Sequence, residues 1–183
     1  MRKIELILML FVAAFMAAGG FALANYFNRD VPIAPTSTKI VADLTGKPTP
    51  HYRLGGLDGA IFRPEDFNGQ VVLYNFWATW CSPCVKEMPM LQRVHDDYSA
   101  QGFTVVGIAL DEVLAVREFT TKLSIHYPIL VGADDVMRVN RDFGNTSGAL
   151  PYSVLVDRKG IVRWWDWGIV EEDELITRIE GLL

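Results

Sequence analysis

Cysteine is scarce in this chain of 183 residues: there are two, Cys81 and Cys84, beside three histidines. That scarcity excludes a disulfide-stapled scaffold, and a core of this size needs no staples. Structural zinc wants four ligands. No second C-x-x-C or Cys/His pair accompanies the first, and His51, His95 and His126 are scattered without ligand spacing, so no metal site is expected. A C-x-x-C-H haem attachment is missing too, because Val85 occupies the His position. Positive charge is in deficit. The formal net charge is -5, with +1 carried by residues 1–24 and -6 by the rest. A surface of that sign offers no footprint for nucleic acid and no polybasic patch for anionic lipid. Repeats and low-complexity tracts are absent, while 50% hydrophobic and 21% charged residues give a globular balance.

What is present begins with an apolar run. Arg2 and Lys3 precede Leu6–Ala24, which holds no charged residue. As a helix this run would span roughly 28 Å, close to a hydrocarbon core of ~30 Å. The cationic start would stay in the cytoplasm, so the remainder faces outward. Residues 1–27 are therefore expected to be a membrane anchor or a signal peptide. Ala22-Leu23-Ala24 behind Gly19-Gly20 fits cleavage, and the length fits retention. Residues 28–50, with Pro32, Pro35, Pro48 and Pro50, are expected to form an extended linker. The folded domain is expected over 51–183.

Within it, His51–Leu57 and Ala60–Phe62 predict a hairpin around Leu57-Asp58-Gly59. Val71–Ala78 and Phe103–Leu110 are continuous apolar runs of strand formers, which predicts buried strands. Ser82 to about Ala100 predicts a helix with Val85, Met88, Leu91 and Val94 on one stripe and a kink at Pro89. Helices over Val113–Leu123, Val136–Phe143 and Glu171–Leu182 follow, with strands at Ile129–Val131, Tyr152–Val156 and Ile161–Trp167. This alternation predicts an α/β layer fold with a mixed central sheet and an N-terminal hairpin.

The chemistry lies where a buried strand runs into a helix at Cys81-Ser82-Pro83-Cys84. A helix N-terminus presents N–H groups and a positive dipole end, which favour thiolate. Cys81 is thus expected to attack a substrate disulfide, and Cys84, one turn on, to resolve the mixed disulfide. A bridge across two intervening residues closes too short a loop to be a staple.

The segment Asn75-Phe76-Trp77-Ala78-Thr79-Trp80-Cys81-Ser82-Pro83-Cys84-Val85-Lys86-Glu87-Met88-Pro89 resembles the active-site stretch of thioredoxin-like thiol–disulfide oxidoreductases of the TlpA/ResA/DsbE type. Gly148-Ala149-Leu150-Pro151-Tyr152-Ser153-Val154-Leu155-Val156-Asp157 resembles that family's cis-proline loop and following strand. The resemblance covers roughly residues 50–183. It implies a three-layer α/β/α thioredoxin-like fold and an extracytoplasmic reductant of protein disulfides at the periplasmic face of the inner membrane. It further implies an upstream membrane thiol donor, a setting in cytochrome c maturation, and no cofactor beyond the Cys81–Cys84 pair. By the same resemblance the Leu150–Pro151 bond is cis and Leu150 and Pro151 meet substrate. Glu87 is placed to tune the thiols or relay a proton at Cys84. Trp80 is expected as a wall beside the nucleophile. Asn75 stands where cytosolic thioredoxins carry a buried Asp, which leaves proton relay to Glu87.

Two alternatives share the fold. A peroxiredoxin-like peroxidase would place T-x-x before its cysteine, whereas Ala78-Thr79-Trp80 precedes Cys81. A copper-binding thiol module would use a wider cysteine spacing and an added His, and neither is evident.

Overall fold

A computed structural model of the protein describes residues 42–183. The expected membrane segment, residues 1–27, and most of the expected linker lie outside the described residues. Among those described, no helix is long and apolar enough to cross a membrane.

The centre of the domain is β3 (Val71–Trp77), an apolar run in which every residue is buried. Such a run has no polar face, so it must be covered on both sides. The elements in order are β1 (Leu54–Gly56), β2 (Ile61–Phe62), β3, α1 (Ser82–Tyr98), β4 (Phe103–Leu110), α2 (Val113–Lys122), β5 (Ile129–Gly132), α3 (Asp134–Asp142), β6 (Tyr152–Val156), β7 (Val162–Trp167) and α4 (Glu172–Glu180). They build a seven-stranded sheet in the order β2-β1-β5-β4-β3-β6-β7. β3 pairs in parallel with β4, and β4 with β5, while β6 runs antiparallel to β3 and β7 closes the edge as a hairpin. The sheet is therefore mixed, and the fold is the thioredoxin-like α/β/α sandwich.

Alternation along β3 divides the core. Val71, Leu73 and Trp77 face Met88, Leu91 and Val94 of α1, Val116 of α2, and Leu175 and Ile179 of α4. Val72, Tyr74 and Phe76 face the opposite layer, with Val136 and Val139 of α3 and Phe143 beyond it. Each fully buried aliphatic or Phe side chain contributes about 1.5–3 kcal/mol. α1 runs unbroken through Pro89, which is exposed. Lacking an N–H, Pro89 leaves the Val85 carbonyl without its in-helix donor.

The N-terminal hairpin is shorter than its sequence suggests. Gly55 and Gly56 end β1, and a Cβ on Gly56 would lie 2.6 Å from the Phe62 ring. A 3-10 turn over Pro64–Phe67, absent from the sequence reading, follows β2; the Asp66 carboxylate accepts from the Arg63 N–H at 2.7 Å and closes it. The described part of the expected linker lies along β7 rather than free of the domain. Gly46 N–H donates to the Val162 carbonyl at 2.8 Å, Val162 N–H to Lys47 at 2.9 Å, and Thr49 N–H to Gly160 at 2.8 Å. Those bonds cover part of a sheet edge that would otherwise be open to pairing. The tryptophans of β7 alternate, Trp164 packing with one layer and Trp165 with the other.

Candidate active site

β3 ends at Trp77, and the chain makes one tight turn before α1: the Cys81 N–H donates to the Ala78 carbonyl at 3.1 Å. Cys81 is the N-cap of α1, in extended conformation. Its sulfur accepts the Cys84 N–H at 3.3 Å, the bond a capping Ser or Asp would make through oxygen. Pro83 falls in the first turn, where a missing N–H costs nothing. The two sulfurs are bonded at 2.00 Å, with Cα atoms 5.3 Å apart. Cys84 is wholly buried, whereas Cys81 retains slight exposure.

Glu87 lies one turn further along α1 and is 2% exposed. A buried carboxylate must be hydrogen-bonded or neutral. Here Oε1 accepts from Asn75 Nδ2 at 2.8 Å and Oε2 accepts from the Val170 N–H at 3.0 Å. Asn75 Nδ2 also donates to Ser153 Oγ at 3.0 Å, so β3, α1, β6 and the β7–α4 loop converge on one carboxyl. Burial drives the Glu87 carboxyl up to about 7, against the Val170 and Asn75 hydrogen bonds, which act to lower it. An acid held there changes protonation state across neutral pH and can give or take a proton beside a thiol.

The Leu150–Pro151 bond is cis, as the resemblance implies. Pro151 is buried and its carbonyl accepts the Gly168 N–H at 3.0 Å. Leu150 is half-buried, and Trp80 stands 68% exposed immediately before Cys81. The structure thus joins Cys81, Cys84 and Glu87 through α1, puts Trp80 on the surface at its start, and links β6, the strand that Pro151 precedes, to Glu87 by way of Ser153 and Asn75.

Sequence reasoning passed over three partners. Ser153 and the Val170 N–H meet Glu87 or Asn75 from 78 and 83 residues away, which no local pattern announces. The third is Asp111, at the end of β4. Its Oδ2 accepts from the Thr79 N–H at 3.1 Å and from Thr79 Oγ1 at 2.5 Å, and its Oδ1 accepts the Glu112 N–H at 2.9 Å. Burial works to raise the Asp111 carboxyl, but the hydrogen bonds from Thr79 and Glu112 outweigh it and hold the group below its ordinary value. Among the described residues, no group of three or more His, Cys, Asp or Glu side chains is arranged to hold a metal ion.

A thioredoxin-like sheet that delivers a C-x-x-C pair to a helix N-terminus, one cysteine wholly buried and the other slightly exposed, defines a thiol–disulfide oxidoreductase. The chain belongs to the AhpC/TSA family, whose model matches residues 45–165, and within it resembles thioredoxin-like oxidoreductases of the ResA and DsbE kind. It is 29% identical to the thiol-disulfide oxidoreductase ResA of Geobacillus thermodenitrificans over 184 aligned residues, covering 100% of this chain and 94% of that protein. The thioredoxin-like protein YneN of Bacillus subtilis is 30% identical over 148 residues, covering 79% of this chain and 84% of that one. Among solved structures, a thiol:disulfide interchange protein of the thioredoxin family from Chlorobium tepidum superposes with a TM-score of 0.67 at 27% identity, covering 77% of this chain and 99% of that one. Named relatives of this kind favour dithiol chemistry over the peroxidase alternative.

Proposed function

We propose that the protein is an extracytoplasmic reductase of protein disulfides, with Cys81 as the attacking thiol and Cys84 as the resolving one. The observation that carries this reading is the asymmetry of the pair. Cys81 caps the helix and is the more accessible sulfur, while Cys84 is sealed in the core one turn from Glu87. In the reduced enzyme the Cys81 thiolate attacks one sulfur of the substrate disulfide, and the other leaves as a thiolate that takes a proton. Cys84 then loses its proton, with the Glu87 carboxylate as acceptor, and attacks the Cys81 sulfur. The second substrate thiol departs and the Cys81–Cys84 bond forms. Two electrons pass from enzyme to substrate, and an upstream membrane dithiol returns them by the same exchange in reverse.

Leu150 and Pro151 line the far side of the substrate path, where the backbone ahead of β6 can pair with an extended segment. The cationic start and apolar run of residues 4–24 support export across, or anchoring in, the inner membrane with the domain on its periplasmic face. The TlpA/ResA/DsbE resemblance supports cytochrome c maturation as the setting, where cysteines must be thiols before haem attaches.

Trapping tests the assignment. Cys84→Ser is expected to accumulate covalent mixed disulfides with client proteins, and Cys81→Ser to accumulate none. Equal trapping by both variants would overturn the division of roles.

A further inference from the structure

Residues 42–49 do more than cover the edge of β7. The backbone bonds from Gly46, Lys47 and Thr49 to Gly160 and Val162 are those that edge cover requires. Ahead of them the strap makes contacts that cover no strand. The Ala42 N–H donates to the Gly144 carbonyl at 2.9 Å. Gly144 sits at φ 95°, and a Cβ there would lie 2.4 Å from the Ala42 carbonyl oxygen, so glycine alone admits the strap this closely. Asp43 Oδ1 accepts the Thr45 N–H at 2.9 Å and the Trp165 Nε1–H at 3.1 Å. Leu44 and Trp165 both pack against the core layer that holds Tyr152.

These contacts reach both ends of one loop, the residues that lead from α3 into β6. Gly144 lies at its start. Tyr152 lies at its end, next to Pro151, and the Tyr152 hydroxyl donates to the Phe143 carbonyl at 2.8 Å. The Trp165 ring lies beside the Tyr152 ring, with centroids 6.3 Å apart. Inside the loop Asn145 Nδ2 donates to the Ala149 carbonyl at 2.8 Å. The strap thus holds Gly144 directly and Tyr152 through Trp165, and Leu150 and Pro151 are carried between the two holds.

We propose that Asp43 is a positioning residue for polypeptide substrates: through Trp165 and Tyr152 it fixes the backbone at Leu150 and Pro151 in register with an extended segment that pairs there. The inference rests on the reading of Leu150 and Pro151 as the far side of the substrate path and adds what holds them in place. Hydrogen bonds weaken steeply as their geometry departs from linear, so a loop free to shift loses pairing strength. Asp43 is exposed and touches no reacting atom, so its effect falls on substrate binding and not on sulfur exchange.

The test follows single-turnover oxidation of the reduced full chain by an excess of a disulfide-bridged peptide, and by the same peptide N-methylated beside its cysteines so that its backbone cannot pair. The natural protein is expected to reach half-saturation at about fivefold lower concentration of the unmethylated peptide, the worth of one hydrogen bond. In Asp43→Ala that advantage is expected to fall to about one, with the limiting rate unchanged. Asp43→Asn keeps an oxygen for Thr45 and Trp165 and is expected to retain the full advantage. Trp165→Phe is expected to lose it, and the double variant Asp43→Ala/Trp165→Phe to lose no more. A merely structural strap would lower stability and leave the peptide ratio where it was. An advantage that survives Asp43→Ala, or is lost equally in Asp43→Asn, overturns the role of Asp43 while the reading of Pro151 stands. Equal half-saturation of the natural protein by both peptides overturns that reading, and the role of Asp43 with it.

Discussion

Replacing Glu87 by Gln should invert the order of stability between acid and alkaline pH. In the disulfide form the Glu87 carboxyl is pushed from its ordinary 4.5 up to about 7, chiefly by burial. The folded protein therefore keeps a proton that the unfolded chain releases above pH ~4.5, and stability must fall as pH rises from there to about 7. The separation corresponds to about 3 kcal/mol between the neutral and ionised forms. Gln carries no charge to bury. It retains one acceptor oxygen but faces either Asn75 Nδ2 or the Val170 N–H with an amide donor, a loss of about 1 kcal/mol at every pH. The natural protein should thus be the more stable by about 1 kcal/mol at pH 4 and the less stable by about 2 kcal/mol at pH 8. Urea unfolding of both oxidised proteins over that range, followed by tryptophan fluorescence, yields the difference directly, and the other carboxylates cancel. A stability difference flat in pH would refute the buried, ionisable Glu87 on which proton transfer at Cys84 depends.

Asp111→Ala should cost about 2 kcal/mol, because three hydrogen bonds to one carboxylate are lost, and urea unfolding at neutral pH measures it. The sign of its pH dependence is opposite to that of Glu87: a carboxyl held below its ordinary value stabilises the fold at neutral pH, and that contribution fades as pH falls through the carboxylate range. The redox potential, read by equilibration with glutathione, is expected nearer the thioredoxin value of about −270 mV than the DsbA value of about −120 mV. A strongly oxidising result would contradict the reductase direction.

The parts of this fold that were legible in its sequence are those where local chemistry and tertiary burial agree. β4 and β6 match their predicted spans, and β3 falls one residue short, because strands covered on both faces read as uninterrupted apolar runs. The start of α1 was legible for a related reason. Cysteine, serine and proline at its head are each tolerated where the helix has spare N–H groups. Elements at the margin were not. β1 keeps only Leu54–Gly56 of the expected His51–Leu57, and the Pro64–Phe67 turn is too short for a periodic signal, although Pro64 followed by Glu65 and Asp66 is the composition of a helix start.

The site divides along the same line. Cys81, Cys84 and Glu87 share one helix, so their relation follows from spacing alone. The carboxyl's environment does not: Asn75 lies on β3, Ser153 on β6 and Val170 beyond β7, and only the strand order 4-3-6-7 brings them together. Asp111 was findable in principle. A polar residue ending an apolar strand, two beyond the paired Ala109, belongs opposite Thr79 once β3 and β4 are taken as parallel neighbours.

The most direct measurement is the ionisation of the Cys81 thiol in the reduced protein, from its rate of alkylation against pH with the modified peptide identified by mass. At a helix N-terminus, Cys81 is expected to react as thiolate with a midpoint clearly below the ordinary thiol value of about 8.5, while the buried Cys84 stays unmodified. A Cys81 midpoint at or above about 8.5, or prior modification of Cys84, would contradict the account.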